Sequence, residues 1–345
     1  MLAARMYGIN DLRVEQVPTP IPGPGEALLQ VKAAAICGTD VRMLTAGAAG
    51  VDAKHPIILG HEFAGVIASV GPGVTAAAPG DRVAVAPNMG CGHCDLCVSG
   101  NGQLCADYRA LGVNLDGGFA EYVLIPAQAV SGGNITPLGT GSFVDGALNE
   151  PFSCALNGSE RCAIRPGDFV LIVGAGAIGL MHAKLARLQG ASRVVLSDLS
   201  ADRQANARKV DASFTTVGAL DAQKVADLTE GHLFDVVITA CPAPAAQQAS
   251  FSQAAVNGRV CFFGGLPKGR EEVMLNTNII HYKQLIVTGT TRASLTQYRK
   301  TLRFICEKAL SMEDLVTSRA PLTDIAELFE LAKAAKGLKN VVEFA

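Results

Sequence analysis

Residues 169–181, FVLIVGAGAIGLM, decide the fold. Phe169 to Val173 is an unbroken apolar run, the pattern of a strand buried on both faces of a parallel sheet. Gly174, Gly176 and Gly179 follow with the spacing G-x-G-x-x-G, and the sequence then becomes helical in composition to about Gln189. A lone glycine triplet of this kind is weak evidence. Placed between a strand and a helix, with Asp198 lying 19 residues past Gly179, it matches a dinucleotide-binding turn. Gly174 permits the tight turn, Gly176 lets backbone approach a pyrophosphate, and Gly179 allows close helix–strand packing. The first turn, including Ala177 and Ile178, offers unpaired N–H groups to an anion. Asp198 ends the second strand, Arg193 to Leu196, where a carboxylate binds ribose hydroxyls and repels a 2′-phosphate. NAD is therefore favoured over NADP. Arg203 is placed either to hold a phosphate, to lie over the adenine, or to remain a solvated helix residue.

Outward from this turn, strands and helices alternate. Phe234 to Thr239 and Arg259 to Phe263 read as further strands, with a helical segment between Ala243 and Ala255 and another strand near Leu285 to Thr288. This is an α/β, doubly wound parallel sheet. The loops after the later strands, Cys241-Pro242 and Gly264-Gly265-Leu266, are expected at the cofactor. The first 150 residues have a different texture. Short alternating segments (Ala27 to Val31, Ala64 to Val70, Arg82 to Ala86) are separated by Pro/Gly turns, which suggests an antiparallel barrel-like domain. In the tail, Leu295 to Ala309 and Ile325 to Ala335 read as helices and Lys339 to Phe344 as a closing strand expected to rejoin the first domain.

The 345 residues are 49% apolar and 17% charged, with a formal net charge of -2, which excludes disorder and gives no sign of nucleic-acid binding. Mean hydropathy is +0.28, yet the most apolar window holds 13 residues and three glycines. A membrane-spanning helix needs about 20 residues. Arg5 is followed by polar residues rather than by an apolar signal segment, so a cytoplasmic protein is expected.

Ten cysteines are many for such a chain. Cys91, Cys94, Cys97 and Cys105 are spaced C-x2-C-x2-C-x7-C, which suits a closed tetrahedral Zn²⁺ site. An iron–sulfur cluster is the rival, weakened by the long last gap and the absence of a following proline; disulfides are disfavoured in a cytosolic setting. Cys37, His61, Glu62 and Glu150 form a looser set. On spacing alone each has an equally good bland reading as a core residue, a solvated charge or a helix start.

Taken together, ICGTD from Ile36, GHEFAGVIASVG from Gly60, PGDRVAV from Pro79, the four-cysteine loop, GGFAEY from Gly117, NEP from Asn149 and GAGAIG from Gly174 resemble the zinc-dependent medium-chain dehydrogenases, polyol (sorbitol or iditol) branch. The resemblance runs over essentially the whole chain. It implies a GroES-like catalytic domain in two pieces, 1–152 and 287–345, around a Rossmann NAD-binding domain, 153–286, with cofactor and substrate in the cleft between them. It implies two Zn²⁺ per chain, the catalytic one held by Cys37, His61 and Glu62. Glu150 is a ligand in some members, while in others it binds the metal's water. Zn²⁺ acts as a Lewis acid on a secondary alcohol, whose hydride passes to NAD. Thr39 hydrogen-bonds the substrate hydroxyl and begins proton transfer.

Many relatives carry a proton-relaying histidine where this chain has Arg42, which cannot be deprotonated. Either the proton leaves by another route, or Arg42 binds an anionic substrate, or it is a surface residue. Thr290 lies where the branch carries substrate- and cofactor-facing groups, with capping of the next helix as the plain alternative. The implied substrate is a polyol or sugar. The alternatives are a sugar-phosphate or threonine-type dehydrogenase and, outside enzymes, an NAD-binding redox sensor. A homotetramer or homodimer is expected by resemblance alone.

Overall fold

The computed structural model describes all residues, Met1–Ala345, and the chain folds into two compact units. One comprises Met1–Ser153 with Ala293–Ala345; the other is Cys154–Arg292.

The first unit is built on one long strand. Ala27–Ala35 pairs antiparallel with Glu62–Val70 on one side and with Lys339–Glu343 on the other, and Tyr122–Ile125 also pairs with it. The sheet continues through Arg82–Val85 to Ile135–Pro137, and on the far side from Lys339–Glu343 to Val316–Ala320. A smaller sheet joins Asp11–Gln16, Leu2–Gly8 and Ile57–Ile58. The alternating small and branched residues of these strands close over a core containing Leu29, Val31, Phe63, Ile67, Phe119 and Phe329, all buried. Gly65 is required where two central strands cross, because a Cβ there would sit 1.9 Å from the Gln30 carbonyl oxygen. At the C-terminal end the strand Lys339–Glu343 lies beside Ala33–Ala35, which brings the tail against the segment leading to Cys37.

The second unit is a six-stranded, wholly parallel sheet in the order Thr215–Val217, Arg193–Ser197, Phe169–Val173, Phe234–Thr239, Ala254–Phe262, Ile286–Gly289. The first strand of the fingerprint is central, and the chain reverses direction across the sheet on either side of it. In this doubly wound order, ligands bind beyond the carboxyl ends of the strands at the reversal point. Leu171, Val195, Phe234, Val237 and Val260 are buried in its core.

One boundary differs from the sequence reading. A division at 286/287 would cut through Ile286–Gly289, whose register runs from Arg259↔Ile286 to Phe262↔Gly289; the parallel sheet keeps these residues, and the unit ends at Arg292. The other crossing, between Ser153 and Cys154, lies within one residue of that reading, inside a 20-residue helix, Phe143–Cys162, that contains Pro151. Proline costs a helix about 3 kcal/mol. Here Ala147, Leu148, Phe152, Ala155 and Leu156 are all buried, and their packing outweighs that cost.

Candidate functional site

Cys37 is the N-cap of the helix Gly38–Ala46. Its N–H donates to the Asp40 carboxylate at 2.8 Å, and the other oxygen of Asp40 accepts from Gly60 N at 3.2 Å. One buried acid thus ties the helix start to the Gly60-His61-Glu62 segment. The same carboxylate stands 3.4 Å from His61 Nδ1, the arrangement that orients a histidine for metal binding through its other nitrogen. The pairing Ala35↔Glu62 sets the two segments side by side, so the donor atoms of Cys37, His61 and Glu62 lie within 4.8 Å of one another. A thiol, an imidazole and a carboxylate so disposed suit Zn²⁺ with a position left open. Burial opposes charge on His61, but Asp40 and the Cys37 sulfur outweigh it and hold its pKa well above the ordinary value.

Glu62 has a partner that the sequence did not disclose. Lys339 Nζ donates to both of its oxygens, to Oε1 at 2.6 Å and to Oε2 more closely, and also to the Ile36 carbonyl at 3.2 Å. Both residues are buried. Burial opposes the lysine's charge, yet Glu62 and Cys37 raise its pKa above the ordinary value. Glu150, from the helix Phe143–Cys162, also contributes to that rise, so its carboxylate acts on the same site. Its oxygens are not among the three donors lying within 4.8 Å of one another. Of the four residues read as catalytic metal ligands, the structure therefore clusters Cys37, His61 and Glu62 and leaves Glu150 outside. Thr39 sits in the first turn of the helix that begins after Cys37, and its Oγ1 accepts from Arg42 Nη2 at 3.1 Å.

The Cys91, Cys94, Cys97 and Cys105 sulfurs also lie within 4.8 Å of one another. The Cys91–Cys97 and Cys94–Cys105 separations are 3.9 and 3.7 Å. A tetrahedron of roughly 2.3 Å Zn–S bonds has edges of about 3.8 Å, so the set fits a closed site. Gly90 has to be glycine here, because a Cβ would meet Cys97 Sγ at 2.5 Å. Backbone N–H groups of His93 and Cys94 pull the Cys91 thiol to about 6. At Cys97 the Gly92 N–H pulls the same way, but burial and the neighbouring sulfurs push it up to about 12. Four sulfurs this close together are a set that suits a cation.

In the second unit, Gly174 has φ +111, a conformation favouring glycine, and a Cβ on Gly179 would lie 1.9 Å from the Gly174 carbonyl oxygen. The turn is as tight as the spacing requires. Gly176 caps the helix Ala177–Leu188, so the N–H groups of Ala177, Ile178 and Gly179 start a twelve-residue helix, a cradle for a phosphate. Asp198 accepts from Ala175 N at 2.8 Å and from Ser200 N at 2.9 Å, so it holds the turn. Arg203 Nη1 lies 3.6 Å from Asp198 Oδ2 and about as near the Gly176 face as van der Waals contact allows, with 4.0 Å to a Cβ built there. Cys241 and Gly264 meet beyond the ends of their strands, where a Cβ on Gly264 would sit 2.6 Å from the Cys241 carbonyl oxygen. Pro242 and Gly265 are exposed beside them and Leu266 is half-buried. Thr290 follows the last strand with its hydroxyl buried; the next helix is capped by Ser294 with Gln297, so capping does not account for Thr290.

Comparison with known proteins bears on both units. Residues 23–132 match the alcohol dehydrogenase GroES-like domain family, and residues 177–307 match the zinc-binding dehydrogenase family. The chain is 33% identical over 341 residues to an L-threonine 3-dehydrogenase from Saccharopolyspora erythraea, covering 96% of each. It is 32% identical over 336 residues to the sorbitol dehydrogenase of Bacillus subtilis, covering 96% of this chain and 93% of that one. This chain belongs to the zinc-dependent medium-chain dehydrogenases. The crystal structure of galactitol-1-phosphate dehydrogenase from Escherichia coli superimposes on this dehydrogenase with a TM-score of 0.89 at 27% identity, over 100% of both chains. Family membership makes the dehydrogenase an enzyme that uses zinc and a nicotinamide cofactor on small-molecule alcohols. No helix of the dehydrogenase is long and apolar enough to cross a membrane.

Proposed function

We propose that the dehydrogenase oxidises a secondary alcohol of a polyol or sugar with NAD, giving a ketose or keto-sugar. The observation that carries this reading is the cluster of Cys37, His61 and Glu62 donors, with Thr39 in the first turn of the helix that Cys37 caps. Bound in their places, Zn²⁺ supplies Lewis acidity to the substrate hydroxyl and NAD accepts the hydride. The chain's own groups do the positioning. Asp40 fixes His61 and the Cys37 backbone together. Lys339 holds the Glu62 carboxylate in a single orientation. Thr39 accepts from Arg42, so its own hydrogen is free to be donated to the substrate oxygen. Arg42 cannot take up a proton, so the proton passes from Thr39 toward solvent by another path.

The turn from Gly174 to Gly179 with Ala177 and Ile178 holds the pyrophosphate, and Asp198 takes the ribose hydroxyls. Arg203 is engaged by Asp198 and so is not free for a 2′-phosphate, which favours NAD. The loops at Cys241, Pro242, Gly264, Gly265, Leu266 and Thr290 line the nicotinamide half. The four-cysteine set holds a second, structural Zn²⁺.

Two further features belong to this reading. Ten thiols with no disulfide among them suit the cytoplasm. The edge strand Ile286–Gly289 leaves Ile286 and Val287 exposed, with Tyr282 78% exposed nearby in sequence; such an edge suits pairing with a second copy in a homodimer or homotetramer. Metal analysis together with NADH absorbance on sorbitol, galactitol, galactitol 1-phosphate and L-threonine tests the proposal. Two zinc ions per chain and turnover that Cys37→Ser abolishes are expected; unchanged turnover in that variant refutes the mechanism.

A further inference from the structure

Arg42 follows Thr39 by one helical turn, is exposed, and gives one N–H to the Thr39 hydroxyl. Six other arginines of the chain are matched to acids: Arg5 to Glu15, Arg13 to Asp11, Arg193 to Glu230, Arg203 to Asp198, Arg259 to Asp168, and Arg319 to Glu313 and Glu343. Arg42 has no such ion pair. A guanidinium carries five N–H donors in a planar fork, and Thr39 uses one side of it. The rest is an unmatched, permanently charged fork beside the hydroxyl that meets the substrate.

We propose that Arg42 binds an anionic group, carboxylate or phosphate, carried by the substrate, so that the substrate is an acidic derivative of a polyol or sugar rather than a neutral one. The inference rests on reading Cys37, His61 and Glu62 as the reaction centre. Its chemistry is that of guanidinium with a carboxylate or phosphate: two parallel N–H···O bonds, roughly twice as strong as neutral ones. Thr39 fixes where the fork begins, so the anion lies within a few atoms of the carbon that is oxidised. A residue that merely oriented Thr39 would affect charged and neutral substrates alike. A residue reserved for the cofactor would change the NAD dependence and leave substrate preference untouched.

The test uses the zinc-loaded enzyme and three probes of one carbon skeleton: galactitol, galactitol 1-phosphate and galactonate. Dissociation constants come from calorimetry and kcat/KM from NADH absorbance. At least one anion is expected to bind about tenfold or more tightly than galactitol in the wild type, the size expected of a charge-assisted pair. Arg42→Gln should bring that ratio close to one, while Arg42→Lys, a point charge without the fork, retains part of it. Preference for galactonate alone assigns the carboxylate, and preference for galactitol 1-phosphate alone assigns the phosphate. A wild type that does not distinguish the anions from galactitol overturns the proposal, as does a preference that survives Arg42→Gln. If an Arg42-dependent binding preference is found but none of the probes is oxidised, Arg42 keeps its role and the secondary-alcohol reading fails instead.

Discussion

His182 is the most consequential buried group outside the candidate site. It lies on the helix Ala177–Leu188, is fully buried, and neither ring nitrogen has a hydrogen-bond partner. Phe263 meets it edge-on with ring centroids 4.7 Å apart, and a Cβ on Gly158 would stand 2.7 Å from its Cε1. Burial with no compensating partner lowers its pKa from 6.5 to about 3. The sign follows directly. The unfolded chain takes up a proton below about pH 6.5 and the folded one does not, so stability is full above that pH and is lost as pH falls toward the folded value. With these pKa values, the loss between pH 7 and pH 5 is about 2 kcal/mol from this residue. His182→Leu removes it, replacing two unsatisfied nitrogens with apolar volume of similar size. Urea unfolding of the full chain at pH 7 and pH 5 reads the effect as a difference between proteins. The variant should lose about 2 kcal/mol less than the wild type on acidification, and should be at least as stable at pH 7. Equal losses in the two proteins would show that His182 is not the buried neutral base described above.

Three more expectations concern the sites. Lys339→Met leaves the Glu62 carboxylate buried without its cation, which should cost the metal-free protein about 3–5 kcal/mol; added zinc should recover much of it, and thermal unfolding with and without zinc that shows equal losses would refute the role. Cys97→Ser should lower bound zinc by one ion per chain and reduce thermal stability while NAD binding persists; unchanged zinc by metal analysis counts against a four-sulfur site. Asp198→Asn should lower kcat/KM for NAD and improve NADP relative to it, because Arg203 loses its charged partner at 3.6 Å; an unchanged NAD:NADP ratio would mean that Asp198 acts only in holding the Ala175 turn.

What the sequence made legible was local. The strand, three glycines and helix of the nucleotide turn are contiguous, and each glycine's need arises from neighbours a few residues away. The four cysteines fall within one short loop, so their spacing alone brings them together. Cys37, His61 and Glu62 became a set only through family resemblance, because what joins them is the antiparallel pairing of Ala35 with Glu62. Lys339 was beyond reach for the same reason. It meets Glu62 across 277 positions of sequence, and a lysine before an apolar closing strand carries no sign of a buried partner. Pro151 shows the opposite case. A local rule against proline in helices was overridden by burial along the whole face of Phe143–Cys162. The strand Thr215–Val217 escaped because three residues are too few to show a period.

The charges around Cys37 explain why this arrangement calls for a dication. Asp40, Glu62 and Glu150 are buried acids, and Cys37 becomes a fourth negative group when it ligates a metal. Against them the chain supplies Lys339 and, at the exposed rim, Arg42. Buried charge of one sign is expensive unless it is matched. Asp40 and Cys37 raise the His61 pKa despite its burial, which shows how strongly this pocket favours positive charge. A dication held by Cys37, His61 and Glu62 would supply positive charge there and, together with Lys339 and Arg42, would match the four negative groups. Arg42 is the exposed member of that balance and the one without an ion-pair partner, so it is the positive group of the set that meets solvent.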